Sequence, residues 1–536
     1  MNKNTASFIT PGTLKKWLHD GTEIAVLDVR EHGQYGEEHL FYVVSVPYSK
    51  IEQDVNRLVP RKAVRIVLIG DEKNSLTERA AQRLSDLGYK NIHSLQGGMK
   101  AWRDAGYEVF AGVNLPSKAF GELAEHAFNT PRISALELNE KIKNKENIVI
   151  LDGRPFSEFK KMSIPTAMCC PNGELPLRID DIVKSPETTI VINCAGRTRS
   201  IIGAQTLINL GIPNKVLALE NGTQGWYLAD LELKHGETSR HPQQTDNAML
   251  VEKQHRSKAL ALKHGVKFVD GSQVEEWLLD EKRTTFLCDV RTPEEFMNGS
   301  VPGAQHTPGG QLVQATDQYV GIRGARIVVF DQENVRAPAM ASWLAMLGWE
   351  VAVCESALTH AWKQALPNNQ DIGIEASSLG IACKQADSTQ IPSIVNAGGI
   401  LIDLRSSMKF RESHIKGAIW SIRPLLSTIA DRYEGKHVIV LAEERLIGLL
   451  AAKDLTELGA KQVSINVETP EIWAKMGLAL ESTPYNPPDA ECIDYLFFVH
   501  DRHDGNKNAA RQYLAWEMNL LAQIDEQERD GFRLPH

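Results

Sequence analysis

One unit recurs four times along this chain, and that repeat constrains the fold more than any other feature. "AVLDVREHGQY" at Asp28, "VILDGRPFSEF" at Asp152, "FLCDVRTPEEF" at Asp289 and "ILIDLRSSMKF" at Asp403 are apolar runs ending in Asp-x-Arg. A second apolar run follows each at a similar distance: "VRIVLIGD", "TTIVINCA", "ARIVVFDQ" and "HVIVLAEE". A helical pattern then closes on Leu87-Gly88, Leu210-Gly211, Leu347-Gly348 and Leu458-Gly459, and a last short strand leads to Trp102, Trp226, Trp362 and Trp473. Short apolar strands alternating with helical patterns predict α/β units built on parallel sheets. The joins are polar or contain proline. They predict domains over 1–112, 131–238, 265–370 and 380–484, and a helical tail over 485–536 in which Tyr513, Trp516, Leu520 and Ile524 share one face.

A chain of 536 residues is too long for one core, which agrees with several domains. A net charge of −9 argues against a general nucleic-acid binder. No apolar run approaches the ~18 residues a membrane span needs, and "MNKNTASFITPG" lacks a signal-peptide core. Seven cysteines, an odd number, do not read as a disulfide framework. The expectation is a cytoplasmic protein without nucleic-acid or membrane partners.

Aligning the repeats isolates one position. Seventeen residues before each Leu-Gly glycine stand Asp71, Cys194, Asp331 and Ala442, and the tryptophan follows 31, 32, 31 and 31 residues later. Only the second copy has a thiol there. Ligands of open α/β sheets bind beyond the carboxyl ends of strands, where Cys194 falls. The loop Cys194-Ala195-Gly196-Arg197-Thr198-Arg199 runs into a helix expected to begin at Ser200. Successive amides at such a junction form an anion-binding nest, reinforced by the helix N-terminus. The same field favours thiolate, taking cysteine from a pKa of about 8.5 toward ~3.5–7.5. Gly196 permits a tight turn, and Arg197 and Arg199 can fork onto oxyanions. A nucleophile, a cradle and two cations suit attack on a small anionic electrophile.

The Asp-x-Arg strand ends, the cysteine loop and the closing "GGMKAW" and "NGTQGW" elements resemble the rhodanese family over nearly the whole chain. The resemblance implies four tandem rhodanese-like domains, each a mostly parallel five-stranded sheet flanked by helices. It implies a sulfurtransferase: a cysteine thiolate takes sulfane sulfur from thiosulfate or a similar small anionic donor, releases sulfite, and passes the sulfur to cyanide or a thiol. By the same resemblance Cys194 carries the sulfur, and the amides of Ala195, Gly196, Arg197, Thr198, Arg199 and Ser200 cradle the persulfide. Arg197 and Arg199 hold the donor's sulfonate end, and Asp152 and Arg154 are mainly structural. Asp71, Asp331 and Ala442 cannot carry sulfane sulfur, so the other three copies are expected to be silent. An aspartate at the strand end is expected to repel the anion a nest binds. Family analogy makes copy one a wall of copy two's pocket. The loop is neither the basic nor the serine-ended form of the best-known relatives, which leaves the donor open, as it does the oligomeric state, a homodimer included.

Two other functions compete. A cysteine phosphatase needs Cys-x5-Arg, whereas here the arginines fall three and five residues after Cys194 and Ser200 stands sixth. A non-catalytic scaffold or persulfide sensor fits the three silent copies but not the intact cysteine loop. Among lesser features, Cys169-Cys170 reads as core with a resolving thiol as the alternative, and Cys288 and Cys354 read as strand core. "HDRHDGN" (500–506) reads as a polar turn with a helix cap, with metal binding as the alternative. No P-loop or zinc spacing points to a cofactor or metal.

Overall fold

The computed structural model describes residues 6–72, 75–243, 247–363, 383–497 and 506–535; most of the "HDRHDGN" stretch and most of the third join lie outside them. Four five-stranded sheets follow one another along the chain. In the second domain the strands are Arg132–Ile133, Ile148–Asp152, Met168–Cys169, Thr189–Asn193 and Val216–Leu219. Their spatial order is first, fifth, fourth, second, third, and every pair is parallel. The other three sheets share this order; the fourth domain adds a small antiparallel pair, His414–Ile415 with Leu480–Glu481. The fourth strand is thus central in each sheet. Helices cover both faces, so it is buried on both sides and reads as an unbroken apolar run rather than an alternating one.

The shared motifs have direct structural causes. In each repeat the Asp-x-Arg aspartate is fully buried and takes its arginine at 2.6–2.7 Å. The same guanidinium donates to the carbonyl eight residues on, at Glu38, Met162, Gly299 and Ser413. That bond ties the end of the following short helix to the strand and pairs the buried charge. The Leu-Gly glycines adopt φ of +90°, +73°, +98° and +98°, the left-handed helix stop that reverses the chain into the last strand.

Packing joins the domains into one body. Domains 1 and 3 share a core: Leu58, Val59 and Tyr89 belong to one buried cluster with Ile322, Trp343 and Val353, and Phe120 and Ile202 are part of it. Domain 3 also locks onto domain 2, where the Trp343 indole donates to Thr206 at 2.8 Å. Domain 4 docks on domain 1 through buried charges. Arg423 bridges Glu52 and Asp454, and Arg83 of domain 1 reaches Asp454 and Glu457. The tail forms the helices Lys507–Met518, Leu520–Gln523 and Glu526–Arg529, broken at Asn519 rather than continuous. Leu520 and Ile524 pack on Phe41, Phe110 and Leu115. No described helix is long and apolar enough to cross a membrane.

Candidate active site

Cys194 directly follows the central strand of domain 2 and is 2 % exposed. The helix after it begins at Thr198, two residues earlier than expected, so the cysteine loop is shorter and tighter. The closing "NGTQGW" element clamps this loop: the Thr223 amide donates to the Cys194 carbonyl at 2.8 Å and the Gln224 amide to the Ala195 carbonyl at 3.1 Å. The approach is so close that a Cβ on Gly222, whose φ is +53°, would lie 2.2 Å from the Cys194 carbonyl oxygen. Glycine is therefore required there by space and by backbone conformation alike.

The Ser200 hydroxyl donates to Cys194 Sγ at 3.1 Å. Burial nevertheless pushes the thiol above its ordinary pKa; Arg199 and the Ser200 hydroxyl and amide pull it back, and Glu517 pushes it up again. This corrects the expectation of a favoured thiolate. The main reason is burial of the sulfur, and both arginines are already paired with carboxylates. Arg199 forks onto Glu158 at 2.8 Å for both oxygens. Arg197 forks onto Glu122 at 2.7 and 2.9 Å and also reaches Glu125. Glu122 and Glu125 belong to the helix Leu115–Phe128 that links domains 1 and 2. The two free clamps read from the sequence are two neutralised pairs, and they play different parts. Arg199 sits close enough to Cys194 to act on its charge, while Arg197 anchors the cysteine loop to the linker helix.

A cavity of about 350 Å³ opens over Cys194, and Ala195, Gly196, Arg197, Thr198 and Arg199 line it. Its other walls come from domain 2 itself, through Arg154, Glu158, Lys161 and Met162, and from three further places. The linker supplies Val113, Asn114 and Lys118, domain 3 supplies Gln311, Gln314 and Gln318, and the tail supplies Tyr513 and Glu517. The expectation that domain 1 walls this pocket is corrected: the facing domain is domain 3. Sequence reasoning missed Lys118, Gln311 and Glu517, which approach from segments remote from the loop. Cys169 and Cys170 are fully buried, their thiols are pushed up by burial (Cys169 to about 12), and neither lines the cavity. They pack the core, as do Cys288 and Cys354.

The equivalent turn in domain 3 is closed from within. Asp331, 3 % exposed, accepts the Val335 and Arg336 amides at 3.2 Å and the Ala337 amide at 3.0 Å. Beyond the expected repulsion of an external anion, the aspartate is itself the anion in the nest. Arg336 behind it is fully buried and paired with Glu295, Glu333 and, across the domain boundary, Glu174. In domain 1 Asp71 is exposed and takes the Ser75 hydroxyl. In domain 4 Ala442 offers only a methyl group.

A family model described as "Rhodanese-like domain" matches residues 10–105, 134–229 and 270–364, covering the first three repeats. A solved structure described as thiosulfate sulfurtransferase from Pseudomonas aeruginosa is 35% identical, covers 99% of each chain and superposes with a TM-score of 0.87. The thiosulfate sulfurtransferase GlpE of Coxiella burnetii is 28% identical over 91 residues, covering 17% of this chain and 82% of that protein.

Proposed function

This chain belongs to the rhodanese family, and from that premise we propose that it is a sulfurtransferase whose single working centre is Cys194. The observation that carries the proposal is the contrast among the four turns: one alone combines a sulfur atom with an open cavity. In the first half-reaction the Cys194 sulfur attacks the sulfane sulfur of thiosulfate, the S–S bond of the donor breaks, and sulfite leaves: Cys194–SH + S₂O₃²⁻ → Cys194–S–SH + SO₃²⁻. In the second, an acceptor takes the outer sulfur; with cyanide the products are thiocyanate and the free thiol. Neither half consumes an oxidant or reductant.

The residues divide this work. Ala195 to Ser200 supply amides for the charge that builds on the outer sulfur. Arg199 receives the sulfonate end of the donor, exchanging part of its bond to Glu158. The pull of Arg199 and Ser200 on the thiol offsets burial as the proton leaves. Asp152 and Arg154 hold the neighbouring strand end in place.

The test is intact-mass measurement after thiosulfate treatment, together with thiocyanate formation. The unsubstituted chain is expected to gain one sulfur atom and turn over; C194S is expected to do neither. Equal thiocyanate formation in both would end the proposal. A persulfide that forms but passes to no acceptor would favour the sensor reading.

A further inference from the structure

The cavity over Cys194 holds two buried ionisable side chains to which the sulfur-loading step above gives no part. Glu517, on the tail helix Lys507–Met518, is 2 % exposed. Its Oε1 accepts the Thr198 hydroxyl at 3.3 Å. Its Oε2 has no hydrogen-bond partner among the described residues and faces the cysteine loop, where a Cβ on Gly196 would lie 3.1 Å away. Lys118, on the linker helix, is 5 % exposed. Its ammonium lies 4.8 Å from the Trp516 ring centre and 5.1 Å from that of Tyr513, with no carboxylate within ion-pair distance among the described residues. Both line the cavity, and they do not pair with each other.

A buried carboxylate oxygen without a donor is costly, and it repels an anionic ligand. The group that satisfies it must bring N–H donors. Lys118 presents the opposite requirement: its ammonium sits against ring faces and has donors to spare for an oxyanion. A cavity of about 350 Å³ has room for an amino-acid-sized molecule beside a persulfide. We propose that the second substrate is a zwitterionic amino-thiol, its ammonium on Glu517 Oε2, its carboxylate on Lys118 and its sulfur directed at Cys194. The transfer is Cys194–S–SH + R–SH → Cys194–SH + R–S–SH. The acceptor sulfur bonds to the outer sulfur, the Cys194 Sγ–S bond breaks, and Sγ takes the proton that the acceptor thiol gives up. This inference rests on the sulfurtransferase reading and adds the chemical class of its acceptor.

Three acceptors separate the two charges: cysteine carries both groups, cysteamine lacks the carboxylate, and 3-mercaptopropionate lacks the ammonium. With thiosulfate as donor, E517Q is expected to lower kcat/KM for cysteine and cysteamine about tenfold relative to 3-mercaptopropionate. K118Q is expected to lower cysteine and 3-mercaptopropionate about tenfold relative to cysteamine. An equal fall for all three acceptors in either variant, as a general base or a purely structural role would give, overturns the proposal, and so does an unmoved ranking. Intact mass separates the two levels. If no sulfur loads on Cys194, the sulfurtransferase reading falls and takes this with it. If sulfur loads and the ranking stays fixed, only the amino-thiol acceptor falls.

Discussion

Domains 2 and 3 build the same strand-to-helix turn side by side and put opposite things in it. In domain 2 a buried thiol stands under an open cavity that the residues of the turn line. In domain 3 the Asp331 carboxylate collects three amides and seals the turn, with Arg336 behind it paired to Glu174, Glu295 and Glu333. The same turn can thus be closed by its own strand-end residue, as in domain 3, or left under a cavity, as in domain 2. A turn that satisfies itself stabilises the fold; a turn left open stays available for chemistry.

The contrast can be broken by substitution. The largest effect is expected at Cys194. C194A should abolish thiocyanate formation, a loss of about 10³-fold or more, while moving the urea midpoint little. D331A should do the reverse. It removes a cap-like carboxylate and leaves Arg336 with one partner fewer, so unfolding free energy should fall by about 2 kcal/mol with sulfur loading on Cys194 retained. Denaturant titration of both variants checks the pair; matching stability losses would erase the distinction. Next comes R199A, expected to raise KM for thiosulfate about tenfold, whereas R197A should chiefly lower the melting temperature by freeing the linker helix.

The smallest effect concerns the thiol's charge. Burial holds the Cys194 pKa above its ordinary value, so the thiolate is a minor species at pH 7 and its fraction grows as pH rises. Alkylation by iodoacetamide should therefore still be accelerating above about pH 8.5, the ordinary thiol value. S200A removes one donor to sulfur, shifts the profile further up, and should slow alkylation at pH 7 about threefold. A plateau below pH 7 would mean that the arginines outweigh burial after all.

Much of the fold was legible from periodicity, because each repeat is a local pattern. Apolar runs with a glycine stop and an Asp-x-Arg pair act over a few residues, and the strand order follows from four copies obeying the same rules. The position of Cys194 was legible for the same reason. Its electrostatics were not. Glu158 lies four residues beyond Arg154 and could have been suspected, but Glu122 and Glu517 arrive from the linker and the tail, and no local pattern pairs them with the cysteine loop. The pKa direction inverted because burial is a property of the assembled domains. The way Asp331 fills its own nest was not legible either: a carboxylate repels an external anion, and it also takes the amides of the turn when the turn reaches it.

The charge cluster between domains 1 and 4 sets an order of events during synthesis. Glu52 and Arg423 are separated by 371 residues. At a translation rate of about 5–20 residues per second, domain 1 waits roughly 20–70 s before its partner emerges from the ribosome. Throughout that interval Glu52 and Arg83 remain in water, where their charges are tolerated. The surface that domain 1 keeps for domain 4 is thus mainly charged, and it stays compatible with water until the partner arrives.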